Sequence, residues 1–282
     1  MPYIVVLLGV LSVSASSVLF KFATAEPLVV AFYRLAFSVL LLGAPLLWRK
    51  REKIDRRDLW LSVLSGLFLA AHFATWFFSL TMTSIASSTV LVSMQPFLVV
   101  LYGYLVGAER TNGRALVAVG LTVVGAILIG WGDFALDPRA LLGDVLAFLG
   151  AVAVTGYLLI GRQVRQRMSA IAYSVVVYSA ATVALLIAAL AWGSPLTGFA
   201  PGNWWVFVAL AVFPTIFGHT LFNWALKYLP ASVISVNILG EPVGATLLAW
   251  LIWGTAPGPV TLLGGFLLLV GIALFLCFNS TD

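Results

Sequence analysis

Residues 232–253 read SVISVNILGEPVGATLLAWLIW. A helix needs about 20 mainly apolar residues to cross the hydrocarbon of a bilayer. This run supplies them with a single ionisable group, Glu241, followed directly by Pro242. Residues 85–105, IASSTVLVSMQPFLVVLYGYL, repeat the design, and Gln95-Pro96 stands 146 positions before Glu241-Pro242. Working outward, eight more apolar runs appear at about 3–22, 28–48, 59–79, 115–131, 141–160, 170–192, 204–226 and 260–278. Each is bounded by charges, Pro or Gly. The runs are continuous rather than alternating, and backbone in a bilayer must satisfy its own hydrogen bonds, so helices are expected and a barrel is not. The expected fold is an all-α polytopic membrane protein with ten transmembrane helices.

Composition agrees. Of 282 residues only 9% are charged while 62% are hydrophobic, and the mean hydropathy is +1.10. A soluble domain carries about 25% charged residues, so a soluble enzyme, a nucleic-acid binder and a disordered chain are excluded. The pI near 9.6 reflects a net charge of only +5. One cysteine, Cys277, leaves no intrachain disulfide and no zinc cluster. Residues 1–20 contain no Lys or Arg, and their apolar run is too long for a signal peptide, so they read as helix 1.

Basic residues set the expected orientation. Arg49, Lys50, Arg51, Lys53, Arg56, Arg57, Arg110, Arg114, Arg162, Arg165, Arg167 and Lys227 follow even-numbered helices; Lys21 and Arg139 lie on the other side, and Arg34 lies within helix 2. The expectation is a multi-pass protein of the cell (inner) membrane with both termini cytoplasmic.

The two halves echo each other beyond the Gln95 and Glu241 runs. Tyr104 matches Trp250 and Gly125 matches Gly271, while His72 faces His219 one position out of step. Residues 1–132 and 133–282 are therefore read as two repeats of five helices. Five is odd, so the second repeat enters the membrane inverted, an arrangement that recurs in secondary transporters.

The sequence resembles the drug/metabolite transporter superfamily, specifically its EamA-type branch. Phe32-Tyr33-Arg34-Leu35, Ala86-Ser87, Pro96, Gly107-Ala108-Glu109-Arg110 and the Gly120/Gly125 pair carry the likeness in the first half. Tyr228-Leu229-Pro230-Ala231-Ser232, Glu241-Pro242 and Gly265 with Gly271 carry it in the second. Gly254-Thr255 departs from the first half's Ala108-Glu109. The resemblance implies a ten-helix bundle around a central cavity that exports small metabolites. Within the family the chain is most similar to the YddG-type exporters of aromatic amino acids.

A polar or ionisable group deep in the membrane is a functional candidate by default. Glu241 and Gln95 both fall near the midplane, approached from opposite sides. Pro96 and Pro242 cannot donate to the carbonyls of Val92 and Ile238, which makes them expected hinges and puts helices 4 and 9 on the cavity. Asn237 shares a face with Glu241 one turn on, and Ser88, Gln95 and Tyr102 repeat every seven residues; these stripes are the expected cavity walls. His72 with Trp76, and His219 with Asn223, complete the expected substrate-binding set. Ordinary interhelical hydrogen bonding and repair of the kinked backbone are the alternative roles. Residue counts along ideal helices put the two histidines about 12 Å apart along the membrane normal, too far to share an ion, so no metal site is expected. Arg34, about 9 Å from the outer end, is expected to snorkel outward or pair with Glu26, with attraction of a substrate carboxylate as the alternative. Gly120 with Gly125, and Gly264-Gly265 with Gly271, point to helices 5 and 10 packing on each other or on a second subunit. The tryptophans at helix ends (Trp48, Trp60, Trp192, Trp204, Trp205, Trp253) are read as an interfacial belt.

The functional expectation is a secondary transporter of small metabolites, most simply aromatic or neutral amino acids, working by alternating access. The expected partners are a small-molecule substrate and the lipid bilayer, with possible proton coupling through Glu241 and no nucleic acid. Other metabolites or drugs, such as nucleosides and cationic compounds, are alternative substrates. A channel should show a charged or carbonyl-rich filter, and none is evident. An intramembrane enzyme would need a nucleophile–base pair or metal motif, and none is present. No Gly-rich phosphate loop appears, and no cofactor is expected.

Overall fold

A computed structural model of the chain describes residues 1–44, 53–83, 85–106, 113–130, 138–254 and 259–279. Ten helices run through them, six of them long and apolar enough to cross a membrane, with no strand among the described residues. Helix 1 is Pro2–Lys21, helix 2 Pro27–Gly43, helix 3 Arg56–Met82, and helix 4 is split into Ile85–Val92 and Gln95–Val106. Helix 5 is Gly113–Gly130, helix 6 Pro138–Val164, helix 7 Ala170–Trp192 and helix 8 Pro201–Ala225. Helix 9 is split into Ala231–Ile238 and Glu241–Trp253, and helix 10 is Pro259–Asn279.

Local chemistry sets the boundaries. Pro27 and Pro201 open their helices, where a missing N–H is not needed. Ser169 caps helix 7 by accepting from the Ala172 N–H, and Gly193 closes that helix in the left-handed region at φ 77°. Helices 3 and 6 run to 27 residues each, longer than the apolar windows, because their charged first residues remain helical at the membrane edge. Trp60, Trp192, Trp204, Trp205 and Trp253 are all exposed, as a belt requires, while Trp48 lies outside the described residues.

The bundle has a simple contact order. Helix 3 packs on helices 6 and 7, and helix 8 packs on helices 1 and 2. Helix 4 lies on helices 5 and 6, and helix 9 on helices 10 and 1. Helix 2 meets helix 7, and helix 5 meets helix 10. Small residues permit the closest of these approaches. A Cβ on Gly125 would stand 2.5 Å from the Leu268 nitrogen, so helices 5 and 10 pack on each other within the chain.

Three helices are interrupted, at Ser14-Ala15, Ser93-Met94 and Leu239-Gly240. At the last two the backbone shifts to shorter bonds, Met94 N–H to the Leu91 carbonyl and Gly240 N–H to the Asn237 carbonyl. The two broken helices cross head to tail: Gln95–Val106 packs on Ala231–Ile238, and Ile85–Val92 packs on Glu241–Trp253. Helix 8 departs differently. Ala211–His219 is a π-helical stretch containing Pro214, and Thr215 Oγ1 donates to the Leu210 carbonyl five residues back.

Each end of the bundle is tied. At the basic end Arg167 makes a bidentate ion pair with Asp58, at 2.5 and 2.8 Å. Arg162 and Arg165 donate to the Leu226 and Asn223 carbonyls at the end of helix 8, where the unpaired carbonyls favour positive charge. At the other end Asn203 Oδ1 accepts from the Thr24 and Ala25 N–H groups, and its Nδ2 donates to Thr24 Oγ1.

Candidate functional site

The three interruptions converge on one narrow cavity. Val13 and Ser16 flank the break in helix 1, Val92, Ser93 and Gln95 that in helix 4, and Ile238 and Glu241 that in helix 9; all of them line it. Arg34, His72, Trp76, Tyr157, His219 and Phe222 close the walls. The space between them is about 30 Å³, room for one or two waters.

Proline explains only part of this geometry. Gln95-Pro96 and Glu241-Pro242 each begin the second half of their helix, where proline is tolerated. The chain turns two residues earlier than the prolines, at Ser93-Met94 and Leu239-Gly240. Gln95 and Glu241 thus sit at the N-terminus of a new helix, aimed at the cavity.

The lining is polar to a degree that a packed core would not tolerate. Buried polar groups are almost always hydrogen-bonded. Yet Arg34 Nη2, Trp76 Nε1, Ser93 Oγ, Gln95 Oε1 and His219 Nδ1 have no partner among the described residues, and all five belong to cavity-lining side chains. The other two Arg34 nitrogens are held: Nε donates to Thr215 Oγ1 at 2.7 Å and Nη1 to Ser16 Oγ at 2.9 Å. Its guanidinium carbon lies 4.1 Å from the centre of the Phe73 ring, a favourable cation–π geometry.

Five of the expected site residues meet here: His72, Trp76, Gln95, His219 and Glu241. The other four do not line the cavity. Ser88 is buried against Ser79, Asn237 donates to the Val233 carbonyl on its own helix, and Tyr102 is 45% exposed on the outer surface. The heptad stripe Ser88–Gln95–Tyr102 assumed a continuous helix 4, and the break at Ser93-Met94 puts its two halves out of phase. Asn223 stands one layer back, accepting from Tyr157 and donating to Ser174 Oγ, so it holds Tyr157 against the cavity. Trp224, the residue after Asn223, packs on Tyr228 and does not line the cavity.

Two expectations are corrected. The histidine rings are 6.4 Å apart, centre to centre, rather than about 12 Å along the normal. The count assumed straight α-helices and ignored both side-chain reach and the π-helical stretch that ends at His219. His72 Nδ1 lies 3.0 Å from the Gly150 carbonyl; a carbonyl only accepts, so that nitrogen carries a proton. Among the described residues no three His, Cys, Asp or Glu side chains converge as a metal site. Arg34 neither snorkels nor pairs with Glu26: it is fully buried, and Glu26 bonds to Ser194. The FYR motif placed it near the outer end of helix 2, but helices 1, 3 and 8 enclose it. Ser16 and Tyr157 were not anticipated. The only sequence signal for Ser16 was the serine cluster Ser12, Ser14, Ser16 and Ser17 interrupting an apolar helix.

Comparison with known proteins agrees with this architecture. The model of the EamA-like transporter family matches residues 1–131 and again 141–277. An uncharacterized transporter of Archaeoglobus fulgidus is 26% identical over 271 residues, spanning 95% of this chain and 92% of its own. The pseudopaline exporter CntI of Pseudomonas aeruginosa is 24% identical over 248 residues, spanning 88% of this chain and 85% of its own. One solved crystal structure superposes with a TM-score of 0.80 at 18% identity, covering 97% of both chains, which shows the shared fold. A multi-pass membrane protein matched to one family model through nearly its whole length, this chain belongs to the EamA-like transporter family.

Proposed function

We propose that the chain is a secondary transporter that exports small metabolites, amino acids with aromatic or neutral side chains foremost, by alternating access through this cavity. The carrying observation is the convergence of three helix breaks on one buried space lined by polar groups without partners. Irregular backbone at membrane depth persists only where protein or a hydrated cavity surrounds it. The cavity is too narrow for an amino acid, so transport requires the half-helices to part at their breaks.

An inverted repeat supplies the second arrangement that alternating access needs. Exchanging each helix for the one five places on turns the contact of helices 3 and 6 into that of 8 and 1. It likewise turns 3 and 7 into 8 and 2, 4 and 6 into 9 and 1, and 4 and 5 into 9 and 10, all of which occur. The pairs 2 with 7, 4 with 9 and 5 with 10 map onto themselves. The double match of the family model supports the same division at about residue 132. Cytoplasmic termini follow from the basic end that carries Arg56, Arg57, Arg162 and Arg167.

Trp76, Tyr157 and Phe222 give the cavity aromatic walls, which favours a flat apolar side chain on the cargo. The reading is tested with purified protein in liposomes and a panel of labelled amino acids. Saturable uptake of phenylalanine, tyrosine, tryptophan or leucine, without ATP, is expected. If nucleosides or organic cations are carried and no amino acid is, the amino-acid reading falls while the transporter remains.

A further inference from the structure

We infer that Arg34 is the anchor for an anionic group of the cargo, with Glu241 as its counter-charge while the cavity is empty. The inference deepens the proposed transport reading and rests on it. Arg34 has 0% exposure, and a buried charge is costly unless it is paired. Yet the only ion pair among the described residues joins Arg167 and Asp58, at the distant basic end. The partners Arg34 does have, Ser16, Thr215 and the Phe73 ring, are neutral. They fix the guanidinium in place and leave Nη2 unpartnered. Glu241 is the acidic side chain that lines the same cavity, and it makes no ion-pair contact with Arg34. A fixed cation and a fixed carboxyl facing one space match a zwitterion: the cargo carboxylate replaces Glu241 as the partner of Arg34, and the cargo ammonium meets Glu241. No net charge is then buried when the site loads.

Three probes share one side chain and differ in charge: L-phenylalanine, L-phenylalaninamide, which lacks the carboxylate, and 3-phenylpropionate, which lacks the amine. Wild-type protein is expected to take up phenylalanine and not the amide. Arg34→Gln is expected to lose phenylalanine uptake roughly tenfold, with partial recovery in Arg34→Lys, which keeps the charge but not the fork. A second readout does not depend on transport. Both carboxylate probes are expected to raise the melting temperature of the purified wild type, the amide is not, and Arg34→Gln responds to none. Glutamine can still donate toward Ser16 or Thr215, and Glu241 can neutralise by taking up a proton, so Arg34→Gln itself is expected to show only a small drop in melting temperature. A much larger drop would make Arg34 a structural tie and overturn the inference, as would equal stabilisation by the amide or no stabilisation by either carboxylate. Stabilisation by carboxylates without uptake of any amino acid would keep Arg34 and remove the amino-acid reading.

The two ends of the bundle also carry matched ties of unlike chemistry. Asp58 is the third residue of helix 3 and bonds Arg167, three residues past helix 6. Asn203 is the third residue of helix 8 and bonds Thr24, three residues past helix 1. Under the exchange of halves these are the same tie, ionic at the basic end and neutral at the other. The geometry points to a pair of end latches, of which only the basic one is sensitive to salt, given alternating access. Spin labels on helix 3 and on the loop between helices 6 and 7 report opening of the basic end, with Cys277→Ser as background. Asp58→Asn and high salt are each expected to populate a longer distance there. The charge exchange Asp58→Arg with Arg167→Asp is expected to restore the short one, and Asn203→Ala is expected to open only the opposite end. Distances indifferent to all of these changes overturn the assignment.

Discussion

Glu241→Gln is expected to lower transport by roughly twentyfold or more, the scale of losing one charge-assisted hydrogen bond, and to flatten its dependence on pH. Glutamine keeps the size of the side chain, so the helix start at Glu241 and the packing around it survive. What it removes is the charge and the ability to exchange a proton. Glu241 opens the helix Glu241–Trp253, whose N-terminal end favours a negative group. It faces Arg34, His72, His219 and Tyr157 from helices 2, 3, 8 and 6 in the same cavity. Those groups remain in the variant, so its comparison with wild type isolates the carboxyl of Glu241. Transport by Glu241→Gln at the wild-type rate with the wild-type pH profile would remove Glu241 from both coupling and cargo binding. The contrast with Arg34→Gln is informative. Both variants delete one charge from the cavity, but only Glu241 can carry a proton across it.

The number of helices was legible because each crossing needs a run of apolar residues that nothing else in the chain imitates. That Gln95 and Glu241 belong together was legible as well, because the same polar–proline step recurs 146 positions apart, and both side chains line one cavity. Arg34, the histidine pair and Ser16 were not, because each depends on how helices lean and break. Counting put His72 and His219 in different layers, whereas their rings lie 6.4 Å apart, His219 ending a π-helical stretch that an ideal-helix count ignores. Counting also left Arg34 near an interface, whereas three neighbouring helices enclose it. Ser88 and Tyr102 failed for the converse reason. A seven-residue stripe holds only while a helix is continuous, and helix 4 stops at the point where the stripe was meant to face the cavity. Transporter sites form where regular helix ends, so periodicity is least informative where function is concentrated.

Gly125 and Gly271 are expected to be the most sensitive packing positions in the molecule. A Cβ on Gly125 would lie 2.5 Å from the Leu268 nitrogen and 2.6 Å from the Gly264 carbonyl oxygen. One on Gly271 would lie 2.8 Å from the Thr122 nitrogen and 2.9 Å from the Ala118 oxygen. These are backbone atoms, which cannot swing aside, so any larger residue must push helices 5 and 10 apart along their contact. Inserting extra carbon into a packed soluble core costs about 1–3 kcal/mol. Here the obstruction is backbone on both helices, and in lipid the association rests on close packing rather than on a hydrophobic drive. Gly125→Val and Gly271→Val are therefore each expected to exceed that range, read as a lowered melting temperature and a lost monodisperse fraction after extraction in detergent. Gly120 is the internal control. It belongs to the same small-residue patch in sequence, but it is exposed and a Cβ there meets nothing within 4 Å, so Gly120→Val is expected to be nearly neutral. Equal losses at Gly120 and Gly125 would mean that the patch serves lipid or a second subunit rather than the contact with helix 10. Because no cavity-lining residue among the described residues comes from helix 5 or helix 10, the Gly125→Val molecules that survive extraction are expected to transport at the wild-type rate. Helices 5 and 10 then act as the fixed frame against which the broken helices 4 and 9 move.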